Sequence, residues 1–172
     1  MVASQLLTCE VDRYQSEGAV RSLLVFCAAL TLSVGGYATE IAGQVVAVSE
    51  GDTLVFQDRN QRDYKVRLAG IDAPEILQAF GRKSRFSLKD MVFLKPARLV
   101  GMAPAPDEAG VTLARVFVDD TDVGMAQVAR GMAWVRGADN TPYEAAEQSA
   151  RAQRKGLWRD DAPTPPWLWR CC

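Results

Sequence analysis

The hydrophobic pattern of the chain switches repeatedly between the strand and the helix period. From Ile41 to Leu68 it has period two. Val45, Val46 and Val48 lie in a β-branched run, Thr53 to Phe56 forms a second, and Tyr64-Lys65-Val66-Arg67-Leu68 alternates cleanly. The connections are Ser49-Glu50-Gly51-Asp52 and the polar stretch 58–63, so three strands in an antiparallel meander are predicted. From Gly81 to Val92 the apolar residues Phe86, Leu88, Met91 and Val92 recur at helical spacing among Arg82, Lys83, Arg85 and Lys89, which predicts an amphipathic helix. Residues 97–102 and 111–118 return to strand patterning across a loop rich in proline and acid. Asp119 to Asp122 can cap a second helix, Val123 to Arg130, closed by Gly131. Met132 to Val135 reads as a short extended segment. A third helix is expected over Pro142 to Arg154, with Gly156 just beyond its end and Leu157 and Trp158 docking it. Residues 161–172 read as an extended tail whose aromatics pack on the body.

Two acidic bends stand out. Glu50-Gly51-Asp52-Thr53 opens the second strand. Val66-Arg67-Leu68-Ala69-Gly70-Ile71-Asp72-Ala73-Pro74-Glu75 ends the third. Pro74 fixes its own φ and biases Ala73 towards an extended backbone, so no helix runs through this bend. Arg67, Asp72 and Glu75 are thereby set at the end of a strand, where a rigid scaffold supports a loop. Carboxylate oxygens hold hard cations such as Ca²⁺, and a guanidinium fork binds phosphate oxygens. Taken singly, each bend is more often a solvated turn; together they make a candidate site.

Composition narrows the chemistry. The chain of 172 residues has no histidine, which removes Ser-His and Cys-His nucleophiles and leaves carboxylates, Lys, Tyr, Cys or metal-bound water for proton transfer. Cys9, Cys27, Cys171 and Cys172 leave residues 28–170 without cysteine, which excludes a disulfide framework or a cysteine zinc site in the body. With 20 basic and 21 acidic residues, the overall charge gives no support to non-specific nucleic-acid binding.

Near the start, Arg21 precedes the apolar run 23–34, followed by Gly35-Gly36-Tyr37-Ala38. This pattern describes a secretory signal cut near Ala38, with residues 1–20 a long lead-in; an uncleaved membrane anchor is the alternative. Removal of residues 1–38 would leave 18 basic and 18 acidic residues.

The two acidic motifs, with Arg130-Gly131-Met132-Ala133-Trp134-Val135 and Lys155-Gly156-Leu157-Trp158, resemble the thermonuclease (staphylococcal-nuclease-like) family from about Ile41 to Trp158. The resemblance implies an α+β fold: an OB-type, five-stranded Greek-key barrel with three helices over residues 39–160. It also implies calcium-dependent hydrolysis of phosphodiester bonds in DNA or RNA by a monomer with no stable protein partner. Asp52, Asp72 and the Ala73 carbonyl match the metal ligands, and Glu50 matches an acid near the ion. Glu75 matches the general base, and Arg67 the first phosphate-binding arginine. One departure is expected to reduce activity. The family's second catalytic arginine falls on Val111, and its neighbours fall on Ala109 and Glu108. Arg115, an even number of strand positions on, is the candidate for substrate contact, with Arg136 another. The competing expectation is a module that keeps the fold and binds nucleic acid or protein without turnover.

Overall fold

The computed structural model describes residues 40–102, 106–137 and 141–171. The apolar run 23–34 and the expected cut near Ala38 lie outside the described residues.

Among the described residues, eight strands and four helices follow in chain order. They are β1 (Glu40–Val48), β2 (Thr53–Asp58), β3 (Asp63–Leu68), β4 (Ile71–Asp72), α1 (Gly81–Val92), β5 (Pro96–Val100), β6 (Val111–Val118), β7 (Thr121–Asp122), α2 (Val123–Ala129), β8 (Trp134–Val135), α3 (Thr141–Ala152) and α4 (Pro166–Trp169), with a 3₁₀ turn at Gly156–Arg159 before α4. Strands β3, β2, β1, β5 and β6 are neighbours in that order, and β3 also pairs with β6. That last contact is parallel, Lys65 facing Val111 and Leu68 facing Ala114, and it closes the sheet into a five-stranded barrel. The other barrel pairings are antiparallel. The expected α+β OB-type barrel is the fold observed.

Closure follows from the alternation seen in the sequence. Val66 and Leu68 of β3 turn inward while Lys65 and Arg67 stay outside. Val45, Leu54, Phe56, Leu99, Ala114 and Val116 complete the barrel interior with almost no exposed surface. A register shift between Val45 and Ala47 bends β1, which lets one strand pair on both sides as the sheet curls.

Helix α1 has the expected bounds and buries the expected Leu88 and Val92, with Met91 packed beside them, but Phe86 is not on that face. Its buried stripe is Gly81, Ser84, Leu88 and Val92, whereas Phe86 is 67% exposed. Residues at i, i+4 and i+8 line one side, and Phe86 is half a turn away from Ser84. Helices α2 and α3 pack on each other, and Tyr143 of α3 reaches the barrel core. A second apolar cluster, Trp134, Ala150, Leu157 and Trp158 with Trp167 beside it, sits at the end of the barrel nearest β8.

The two glycine motifs explain each other. Gly131 and Gly156 both have positive φ, and a Cβ on either would run into the other segment's backbone. Leu157 N–H donates to the Gly131 carbonyl at 2.9 Å, locking the 3₁₀ turn to the end of α2. The tail expected to be extended instead forms α4, with Pro166 buried and Trp167 edge-on to Trp134 at 6.4 Å between ring centres.

Candidate active site

The first acidic bend is held from three sides. Ser49 and Glu50 N–H groups both donate to the Thr53 carbonyl, at 3.0 and 3.2 Å, and Leu68 N–H donates to the Asp52 carbonyl at 2.8 Å. Gly51 lies against Ser84 and Ala73, where any side chain would collide. Its carbonyl accepts from the fully buried Gln127 side-chain amide at 2.7 Å, which also donates to the Ser84 carbonyl at 3.1 Å. Ser84 in turn donates to the Met132 carbonyl at 2.7 Å. Gln127 and Ser84 therefore fasten the bend to α1 and α2. Neither is identifiable from local sequence spacing, because each works across more than 40 residues.

The second bend is held by strand pairing. β4 pairs with β8, Asp72 opposite Trp134, and Arg136 N–H donates to the Gly70 carbonyl at 2.9 Å. The two bends also meet through a side chain: Ala73 N–H donates to Asp52 Oδ2 at 3.0 Å. Asp52 Oδ1 accepts from the Thr53 hydroxyl at 2.8 Å. Both carboxylates are nearly buried, Asp52 5% and Asp72 7% exposed.

Burial pushes the Asp52 carboxyl above the ordinary carboxylate range. The Ala73 and Thr53 bonds oppose that shift, the Asp72 charge adds to it, and Arg67 counters it. Asp52 and Asp72 are thus close enough to repel, and among the described residues no cation is bonded to Asp52. This is an environment that a divalent ion would relieve, so the donor set fits one. Among the described residues no three acidic, histidine or cysteine side chains converge as a ready-made cage. What the two bends bring together is the pair of nearly buried carboxylates, Asp52 and Asp72, and hard cations are held by such oxygens with water completing the shell.

Asp72 carries two guanidinium groups. Arg136 Nη1 donates to its Oδ2 at 3.1 Å. Arg170 donates to Oδ2 through Nη2 at 2.7 Å and to Oδ1 through Nη1 at 3.2 Å. The same Nη1 donates to Glu75 Oε1 at 2.6 Å. Glu75 is half-buried, and its N–H donates to Gln78 Oε1 at 3.1 Å. Arg170 is the functional candidate that sequence reasoning missed. Arg136 bridges Asp72 and the Trp167 ring, 5.0 Å below its guanidinium carbon.

The remaining sequence candidates are placed as follows. Arg67 is exposed and lies close enough to Asp52 for its charge to act there. Glu50 flanks the first bend, half-buried. Arg115 is not brought to the carboxylates. Its Nη2 pairs with Asp122 Oδ2 at 2.9 Å and its guanidinium borders the Tyr143 ring. Val111 is nearly buried at the start of β6, its N–H donating to Asp107 Oδ1 at 2.8 Å.

The chain is similar to several known proteins. The family model described as staphylococcal nuclease homologue matches residues 65–160. A protein of Haemophilus influenzae named as an uncharacterized endonuclease is 40% identical over 129 residues, covering 74% of this chain and 71% of that protein. An uncharacterized endonuclease of Escherichia coli is 37% identical over 134 residues, covering 76% and 86%. A micrococcal nuclease of Shigella flexneri is 34% identical over 168 residues, covering 90% and 95%.

Proposed function

This chain belongs to the staphylococcal nuclease homologue family, and we propose that it is a calcium-dependent nuclease that hydrolyses phosphodiester bonds of DNA or RNA. The observation that carries the reading is the meeting of the two acidic bends, with buried Asp52 bonded to the backbone of Ala73 beside Asp72. Asp52 lies beside a second carboxylate with no cation bonded to it among the described residues, a charge arrangement that a divalent ion would relieve.

Asp52, Asp72 and the Ala73 carbonyl would hold the ion. A bound divalent cation supplies Lewis-acid polarisation of a phosphoryl oxygen. Glu75 receives the proton of the attacking water. Arg67, exposed beside the carboxylates, opposes the charge that builds on the phosphoryl oxygens. Valine at position 111 removes one transition-state donor, an effect of about 10²–10³ in rate when such a donor is deleted elsewhere. The reading is therefore a slow nuclease, and that same position supports the second reading, a nucleic-acid-binding module without turnover. Export after a cut near Ala38, and action as a monomer, belong to the proposal.

The test is cleavage of heat-denatured DNA by the purified chain with Ca²⁺ or with chelator. Cleavage with Ca²⁺ that disappears in Glu75→Gln is expected. Wild-type cleavage no greater than that of Glu75→Gln would overturn the enzymatic reading in favour of the binding module.

A further inference from the structure

Arg170 lies 98 residues from Asp72 in sequence, and three of its N–H bonds end on the carboxylates of the proposed cation site. The fork spans both oxygens of Asp72 and reaches Glu75, so one monovalent cation covers the oxygen a metal would need and the one the water would need. These contacts hold the Arg170 guanidinium in its charged form, its pKa moving up chiefly through the Asp72 bonds.

What brings Arg170 there is a separate anchor. Gln78 donates its side-chain amide to the Thr164 carbonyl, Pro166 is buried, and Trp167 packs edge-on to Trp134 and beneath Arg136. Trp134 is the strand partner of Asp72. The anchor is therefore fixed to the same short ribbon that carries the carboxylate. Arg170 itself is half-exposed, 46% of its side chain remaining open to solvent. Among the described residues its side-chain bonds run to Asp72 and Glu75 and not to the anchor, so the side chain can swing away without lifting it.

We propose that Arg170 is an internal counter-ion for the Asp72–Glu75 pair. It closes the site when no divalent ion is bound and is displaced when one binds. The inference rests on the nuclease reading above, since it takes Asp72 as a ligand and Glu75 as the base. Two positive groups cannot share the same carboxylate oxygens at full strength, so docking of Arg170 and binding of the ion are linked equilibria. If the docked form is favoured about ten to one, the apparent dissociation constant for the ion rises about tenfold. Binding of the ion raises the population of the open form, in which Glu75 is released from Arg170, so the ion both completes the site and frees its base.

The experiment is calorimetric titration of the ion-free chain with Ca²⁺, comparing wild type, Arg170→Ala and Arg170→Gln, with Asp72→Asn as background. Both Arg170 variants are expected to bind Ca²⁺ about tenfold more tightly than wild type. Equal or weaker binding in both variants overturns the proposal while leaving the nuclease reading intact. No binding above background in any of the three removes the cation site itself, and both readings fall. Trypsin gives a readout independent of affinity. Added Ca²⁺ should speed cleavage after Arg170 in wild type, and an unchanged cleavage rate at saturating ion would overturn the displacement.

Discussion

At the scale of single residues, the account turns on charge placed where water is scarce. Asp52 is buried beside another carboxylate and is satisfied by a backbone amide and a hydroxyl rather than by a cation. Val111 marks the opposite situation, an apolar residue where a phosphate-facing arginine is expected. By strand alternation it shares its face with Arg115, but Arg115 is committed to Asp122. Val111→Arg is therefore expected to raise the rate of DNA cleavage, by about 10-fold or more on the scale of a single transition-state donor. Steady-state kinetics on single-stranded DNA checks this. An unchanged rate would mean that the phosphate path does not pass position 111. Arg170 shows why residue-scale reading of a sequence has a limit. Its partners are 95 and 98 positions away, and a lone arginine in a tail carries no local signal.

At the scale of elements, the strands were legible because alternation reports burial directly. β3 is the clearest case, with Val66 and Leu68 inward and Lys65 and Arg67 outward. The two-residue ladder of β4 and β8 was not legible, because two residues have no period. Helix α1 was legible in extent and in its buried Leu88 and Val92, but its core-facing side includes the small polar Ser84 in place of Phe86. Helix α3 was legible as a helix, yet its tie to the barrel was not. Tyr143 donates to Asp122 Oδ2 at 2.7 Å, and Asp122 also caps α2 through the Met125 N–H at 3.1 Å. One carboxylate thus joins α2, α3 and, through Arg115, β6. Removing the hydroxyl in Tyr143→Phe is expected to cost about 2 kcal/mol at neutral pH, as for a hydrogen bond to a charged group. The Tyr143 hydroxyl is pushed up to about 12 from its ordinary 10.0, first by burial and then by its bond to Asp122. Between those pH values the unfolded chain has lost this proton and the folded chain keeps it, so stability falls as pH rises through the window. Urea unfolding should show a wild-type loss between about pH 10 and about 12 that the Phe variant lacks. The gap between the two proteins should narrow accordingly, and a gap independent of pH would contradict the assignment.

For the whole molecule, the barrel acts as a frame that brings distant bends together. β1 to β3 carry the first bend and the start of the second, the parallel β3–β6 contact fixes where they end, and the helices pin the first bend through Gln127. The C-terminal segment then folds back so that Trp167 and Arg170 reach the ribbon bearing Asp72. The family resemblance singled out Asp52, Arg67, Asp72 and Glu75, and the fold places them on two adjoining bends. The contact of the tail with Asp72 and Glu75 was not legible, because it depends on how a closed barrel presents one end.

The central claim is that the two bends share one divalent ion, and ion-dependent thermal stability tests it most directly. An ion that binds only the folded chain stabilises it by mass action, about 2.7 kcal/mol at a hundred times the dissociation constant. Wild type should therefore melt several degrees higher with saturating Ca²⁺ than with chelator, and Asp52→Asn should lose most of that shift. An equal Ca²⁺ shift in Asp52→Asn, or no shift in wild type, would contradict the claim.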